Sequence, residues 1–235
     1  MIPLKNLNPR TSFPVVTVAL IVVNFLVFFY QLSLSPRAAD HFIMTYGVVP
    51  QTLQWALAGQ HGKTLIDAVI PLFTSMFLHG GWLHILGNMW FLWIFGGNVE
   101  DTLGHVPYLF FYLLCGIGSG IAQAAFSWGT KIPALGASGA IAGVLGAYIL
   151  YYPASLILTL VPLFIFWFTA KIPAWIFIGL WFLAQFMSGV GALGATSAQA
   201  MGGVAWWAHV GGFLLGMALA WPKRPRRPNY YYAES

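Results

Sequence analysis

Six stretches of this chain run without a charged side chain far enough to cross, or nearly cross, a lipid bilayer. They extend roughly from Phe13 to Leu32, Gly81 to Val99, Val106 to Trp128, Ser138 to Tyr152, Pro173 to Ser188 and Trp206 to Trp221. A helix needs ~20 apolar residues to span the hydrocarbon layer; the fourth stretch is short. Charged residues make up 6% of the chain and hydrophobic ones 59%, against roughly 25% charged in a soluble domain. Such a chain cannot cover itself with solvated side chains, so its solvent is the bilayer. Its 17% aromatic content, with 11 Trp, suits residues that settle at membrane interfaces.

Charge placement sets the expected topology. Lys223, Arg224, Arg226 and Arg227 cluster near one end, and Lys5 and Arg10 lie near the other. Basic residues mark the cytoplasmic side, so both termini are expected there, which requires an even number of spans. The apolar, Pro162-containing segment from Leu156 to Phe168 would make a seventh. It is therefore read as a short interfacial or re-entrant piece, ending at Lys171 on the cytoplasmic side. The basic clusters are topology signals and not a nucleic-acid surface, because no basic face with interleaved aromatics exists. The first segment lacks a small-residue cleavage site and is kept as a mature helix. The expected fold class is an all-α polytopic membrane protein of six transmembrane helices. Residues 1–12 form a cytoplasmic N-terminal segment, 13–221 the membrane domain and 222–235 a basic cytoplasmic tail. The connection from Ser33 to Gly80, with Leu53, Trp55 and Leu57, has room for an interfacial helix, and the Gly-, Ala- and Ser-rich loop from Gly189 to Ala205 is a candidate gate.

Helices in lipid associate through small residues. In the fourth segment Gly139, Gly143 and Gly146 share a face with Ala142. In the sixth, Ala208, Gly212, Gly216 and Ala220 repeat every four residues. Packing these two faces brings Ser138 and His209 together at the outer end of the contact. A serine hydroxyl needs a neighbouring base to act as a nucleophile, and a histidine suits that role near neutrality. Taken alone, Ser138 reads as a helix N-cap and His209 as an interfacial histidine bonded to a carbonyl; taken together they read as a catalytic dyad. His84 and Asn88, at i and i+4, share a helical face and can aim donors at one spot, while Gly136 lets the loop backbone approach closely. With the Ser138 amide at a helix N-terminus, these groups suit a developing oxyanion.

No acid sits where it could hold His209 from behind, so a dyad, or a dyad oriented by something other than a carboxylate, is expected. Glu100 reads as a residue that caps or pairs within a turn, and His79 as one that shapes the start of the second helix. Cys115 is the single cysteine and excludes an intramolecular disulfide. No histidine is followed by Glu, which removes the H-E-x-x-H zinc chemistry. Asp40, Asp67 and Asp101 lie outside the apolar segments, which removes an aspartyl pair. No metal or cofactor is expected.

The chain resembles the rhomboid family of intramembrane serine proteases from about Pro14 to Trp221. The resemblance rests on H-G-G-W-x-H-I-x-x-N from His79 to Asn88, V-E-D-x-x-G from Val99 to Gly104, G-A-S-G at 136–139 and A-H-x-G-G at 208–212. It implies a six-helix rhomboid-like bundle, Ser138 as nucleophile and His209 as base. It also implies His84, Asn88 and the Ser138 amide as the oxyanion site. Substrates would be single-span membrane proteins cut near the outer interface, with no metal or cofactor. Many members carry an aromatic residue four positions after the serine; here that position is Ala142. Either His209 is held less tightly, or another aromatic such as Trp206 takes over. Tyr46-Gly47-Val48-Val49-Pro50, in place of a Trp-Arg pair, resembles a plainer prokaryotic branch, implying a prokaryotic plasma membrane. The competing expectation is a non-catalytic relative that binds membrane proteins.

Overall fold

A computed structural model describes residues 1–193 and 204–224. The order of elements is β1 (Ile2–Asn6), α1 (Val15–Ser33), α2 (Pro36–Tyr46), α3 (Pro50–Leu57), α4 (Leu65–Thr74), α5 (Trp82–Phe91), α6 (Gly97–Leu103), α7 (His105–Phe126), α8 (Ser138–Tyr151), β2 (Leu156–Leu163), β3 (Phe166–Pro173), α9 (Ala174–Gly191) and α10 (Trp206–Ala220). A 3₁₀ turn, Ser75–Phe77, continues α4, and a π-helical turn, Leu92–Gly96, joins α5 to α6.

The six apolar segments fall on α1, α5 with α6, α7, α8, α9 and α10. Three of these, α1, α7 and α9, are each long and apolar enough to cross a membrane. A fourth candidate is the pair Leu65–Phe77 and Trp82–Leu103, bent by 81° at its break. Between α1 and α5 the long connection folds into three short helices, and Leu53, Trp55 and Leu57 all lie on α3.

The fold is not all-α. Leu156 to Pro173 forms an antiparallel hairpin, and β1 pairs with its first strand to make a sheet in the order β1-β2-β3. The segment expected to be a short interfacial or re-entrant piece is built of strands, so it makes no seventh helical span. Pro162 would interrupt a helix, and Ile157, Thr159, Val161, Thr169 and Ile172 are β-branched residues that favour strands. At its base Ile157 and Thr159 are fully buried against the helices.

α8 is the centre of the bundle, buried almost throughout its length. Its contact with α10 is made backbone to backbone. A Cβ added to Gly212 would land on the Gly139 carbonyl oxygen, and one on Gly216 would land on that of Gly143. On the other side of α10, a Cβ on Gly211 would strike Ala122 of α7. Only glycine permits both approaches, which is how close helix packing arises where lipid supplies no hydrophobic drive.

Acidic groups at the other end lock α1 onto this core. Glu100, 0% exposed, accepts hydrogen bonds from the Val16 and Thr17 amides at 2.8 Å each and from the Thr17 hydroxyl at 2.7 Å. Across the Gly104 turn its other contact is His105 Nδ1, at 2.6 Å. Glu100 thus pairs within a turn, as the sequence predicts, and also satisfies the free N–H groups at the start of another helix. Just upstream, Asp101 accepts the Thr11 N–H at 2.9 Å and the hydroxyls of Thr11 and Ser12. Thr17, Asn24 and Gln31 of α1, spaced by seven, are its buried polar stripe. Arg226 and Arg227, and residues 194–203 of the expected gate, lie outside the described residues.

Candidate active site

The N-terminal ends of α5, α8 and α10 converge on a cavity of about 840 Å³. Ser138 is the first residue of α8, His209 lies in the first turn of α10, and His84 and Asn88 lie on α5. All four line the cavity. Ser138 Oγ and His209 Nε2 are 2.7 Å apart. The glycine contact lower down sets this distance, because it fixes both helices at backbone-contact range and both residues sit at the head of the packed faces.

The other ring nitrogen of His209 is held by a residue the sequence reading missed. Nδ1 lies 2.6 Å from Gln185 Oε1 on α9. An amide oxygen only accepts, so Nδ1 carries the hydrogen and donates it. In a neutral imidazole that leaves the Nε2 lone pair facing the Ser138 hydroxyl. The orienting group is thus an amide and not a carboxylate. The signal was thin: Gln185 is the one long polar side chain in an otherwise apolar helix.

The imidazole is flanked by two indoles. Trp181 of α9 lies 5.9 Å from it, tilted by 36°, and Trp206 lies 6.3 Å away, edge-on. Ala142, at the position where many family members carry an aromatic, is fully buried in the α8 core. Trp206 does approach His209, and Trp181, from a different helix, approaches it more closely. Gln123 of α7 supports the start of α10, accepting the Ala208 N–H at 3.1 Å.

On the opposite wall, His84 Nδ1 accepts the Gly80 N–H at 3.3 Å, so its Nε2 bears the hydrogen in the neutral ring. That Nε2 points at Gly136: a Cβ built there would meet it at 2.6 Å. Gly136 has φ +117°, a conformation L side chains rarely adopt, and its N–H donates to the Ser75 carbonyl at 2.9 Å. Glycine here lets the loop before Ser138 pass close under His84. Asn88 Nδ2 lies 3.0 Å from Nε2 of His79, so one amide hydrogen is anchored. His79 itself is buried, and both its backbone polar groups bond the Gln31 amide of α1. His79 therefore positions Asn88 as well as shaping the start of α5. The loop before α8 is fastened outside by reciprocal Val48 and Ala134 backbone bonds of 2.9 and 2.8 Å. Among the described residues no group of three or more His, Cys, Asp or Glu side chains is placed to hold a metal ion.

Residues 67–226 match the family model of the Rhomboid domain. Rhomboid protein 1, mitochondrial, of Saccharomyces cerevisiae is 32% identical over 167 residues, covering 68% of this chain and 43% of the yeast protein. Rhomboid-like protein 11, chloroplastic, of Arabidopsis thaliana is 27% identical over 81% of this chain and 62% of its own length. Rhomboid protease GluP of Bacillus subtilis is 43% identical over 32% of this chain and 14% of its own. The chain thus spans less than two thirds of the length of each of these relatives. Their names point to mitochondria, a chloroplast and a bacterium, so they do not single out the prokaryotic branch read from the first loop. With the motifs from His79 to Gly212 and a model match over most of the sequence, the chain is an integral membrane protein of the rhomboid family.

Proposed function

We propose that this protein is an intramembrane serine endopeptidase whose catalytic pair is Ser138 and His209. The observation that carries the reading is the ordered row Ser138 Oγ, His209 Nε2, His209 Nδ1, Gln185 Oε1, with contacts of 2.7 and 2.6 Å. A merely structural serine at the start of α8 has no use for a histidine whose lone pair is aimed at its hydroxyl by a third group. The family relationship supports the same reading, and the B. subtilis relative bears the word protease in its name.

The reaction runs as an acyl transfer. His209 Nε2 takes the Ser138 proton as Oγ attacks the carbonyl carbon of the scissile bond. Negative charge develops on the carbonyl oxygen and meets the Ser138 N–H, the His84 Nε2–H and the second Asn88 amide hydrogen. His209 returns its proton to the leaving amine, and the C–N bond breaks to leave an acyl-enzyme. Water entering through the cavity, activated by His209, hydrolyses the ester and restores Ser138. Gln185 stays neutral and fixes the imidazole tautomer that the cycle needs.

The substrates proposed are membrane proteins with a single span, cut near the membrane surface where a helix unwinds easily. The supporting features are the cavity at one end of the bundle and the absence of charge within the six apolar segments. All six apolar helices are taken to cross the bilayer, the short α8 and α10 at the bundle centre. Both termini then share a side, opposite the cavity, where the basic residues gather. The test is cleavage of a single-span substrate in vesicles by purified protein. Wild type cuts and Ser138→Ala does not. Cleavage by a folded Ser138→Ala protein overturns the mechanism, and no cleavage by wild type across a panel of such substrates turns the reading toward a non-catalytic binder.

A further inference from the structure

We infer that the β2–β3 hairpin is a second membrane-contact device: its tip is inserted into the lipid leaflet at the end of the molecule opposite Ser138. The hairpin leaves the C-terminal end of α8 and returns at the start of α9. That end is also where Tyr151 bonds the Ala220 carbonyl and where Lys223 bonds the Leu103 carbonyl. The sheet is therefore tethered at the level where the helices leave the bilayer.

Strand alternation divides the hairpin into two faces. Ile157, Thr159, Ala170 and Ile172 point toward the helices, and the base of this face is buried. The same face continues outward as Val161, Phe168, Leu163 and Phe166, but past Val161 the helices no longer cover it. Phe168, Phe166 and Leu163 are exposed, so the hairpin overhangs the bundle by roughly three residues per strand, about 10 Å. The overhang presents its apolar underside toward the slab the helices occupy. At the tip the other face is apolar too: Phe164 is 94% exposed, Ile165 84% and Trp167 61%. A hairpin lying in water keeps one polar face, and a protein partner covers one face. Tip side chains that reach the acyl layer from a backbone at headgroup level match this pattern.

The charge pattern agrees. Lys5 and Lys171 both pair with Leu158, one from each neighbouring strand, so they share a row on the outward face. They sit at the base, at the level of lipid headgroups when the tip side chains reach the acyl layer, and Trp167 is exposed between Lys171 and the tip. A separate observation concerns the turn. Phe164 has φ +54°, a conformation that favours Gly, Asn or Asp and is strained for a bulky residue. Turn chemistry has yielded here to an aromatic side chain that the described residues leave almost wholly exposed. Among the described residues no further strand pairs with the outer edge of β3, and free backbone groups on such an edge cannot enter hydrocarbon unsatisfied. The backbone thus lies at headgroup level, where water reaches that edge, and only the tip side chains penetrate, the depth of an interfacial element.

The test uses full-length protein in phospholipid vesicles, with Cys115→Ala to remove the single native thiol. Phe164→Cys, Ile165→Cys and Lys171→Cys are each labelled with an environment-sensitive fluorophore. Phospholipids brominated on the acyl chain should quench both tip labels several-fold more than the Lys171 label, and aqueous iodide should show the reverse order. Iodide reaching the tip labels as readily as the Lys171 label overturns the inference. Protection from both quenchers overturns it as well, because protein then covers the tip, a second copy pairing on β3 if the protection fades on dilution into excess lipid. The readout needs no catalytic activity, so it is independent of the assignment of Ser138.

Discussion

α8 and α9 both pack against α10, and they do so in opposite ways. α8 meets it through bare backbone, with Gly139 and Gly143 against Gly212 and Gly216. α9 meets it through rings: Phe182 stacks on Phe213 at 4.5 Å, Phe186 stands on Trp207 at 6.1 Å and Trp181 reaches both Phe213 and His209. Only 22% of the most apolar window of α9 is buried inside the molecule, against 44% for α7. Ser138 Oγ and His209 Nε2 thus ride on the helix pair with the least room to shift. The groups that set the tautomer and tilt of the imidazole, Gln185 and Trp181, ride on a helix that mostly faces lipid. Distance and orientation are supplied by different parts of the molecule, so mutations should separate them.

The largest effect is expected from breaking the rigid pair. Gly216→Leu drives a side chain into the Gly143 backbone, an overpacking that costs about 3 kcal/mol or more. Thermal unfolding in detergent should show a large loss of stability, and activity should vanish with it. A Gly216→Leu protein of normal stability and activity would mean that α8 and α10 are not in backbone contact.

A smaller and different effect is expected at Gln185. Gln185→Ala leaves the packing intact but frees Nδ1, and kcat should fall about 10- to 100-fold, as when a histidine loses its outer partner, with KM little changed. Gln185→Glu restores an acceptor and stabilises the imidazolium, so it should recover part of kcat and move the acidic limb of the pH profile to higher pH. If neither variant changes kcat, Gln185 does not orient the base. The smallest effect belongs to Trp181→Ala. The half-buried Trp181 ring beside the imidazolium contributes about 1 kcal/mol, so kcat should drop only a few-fold, and less than in Gln185→Ala. The reverse order would place the orienting role on the ring.

These differences track what can be read along the chain. The α8–α10 pair is legible because glycine spacing is a local signal, and it carries Ser138 and His209 with it. Gln185 is not, since a lone amide on an apolar helix has no motif, and its meaning depends on which face of α9 meets α10. The hairpin fails for a related reason. With both faces apolar, Leu156 to Phe168 lacks the period-two alternation of a half-buried strand, and its partner β1 lies about 150 residues away in sequence. His79 and Gln31 show the same limit: their polar atoms are assigned only once α1 lies against α5. The buried Glu100 was partly legible through its turn with His105, while its second role at the start of α1 needed the tertiary contact.

The central claim is that Ser138 is activated by His209. It is tested most directly by reacting the detergent-solubilised protein with a fluorophosphonate, which labels a serine only when a base has made it nucleophilic. Wild type should be labelled at Ser138, Ser138→Ala and His209→Ala should not, and Gln185→Ala should label slowly. A folded wild type that resists the reagent, or a His209→Ala protein that labels as fast as wild type, would contradict the account.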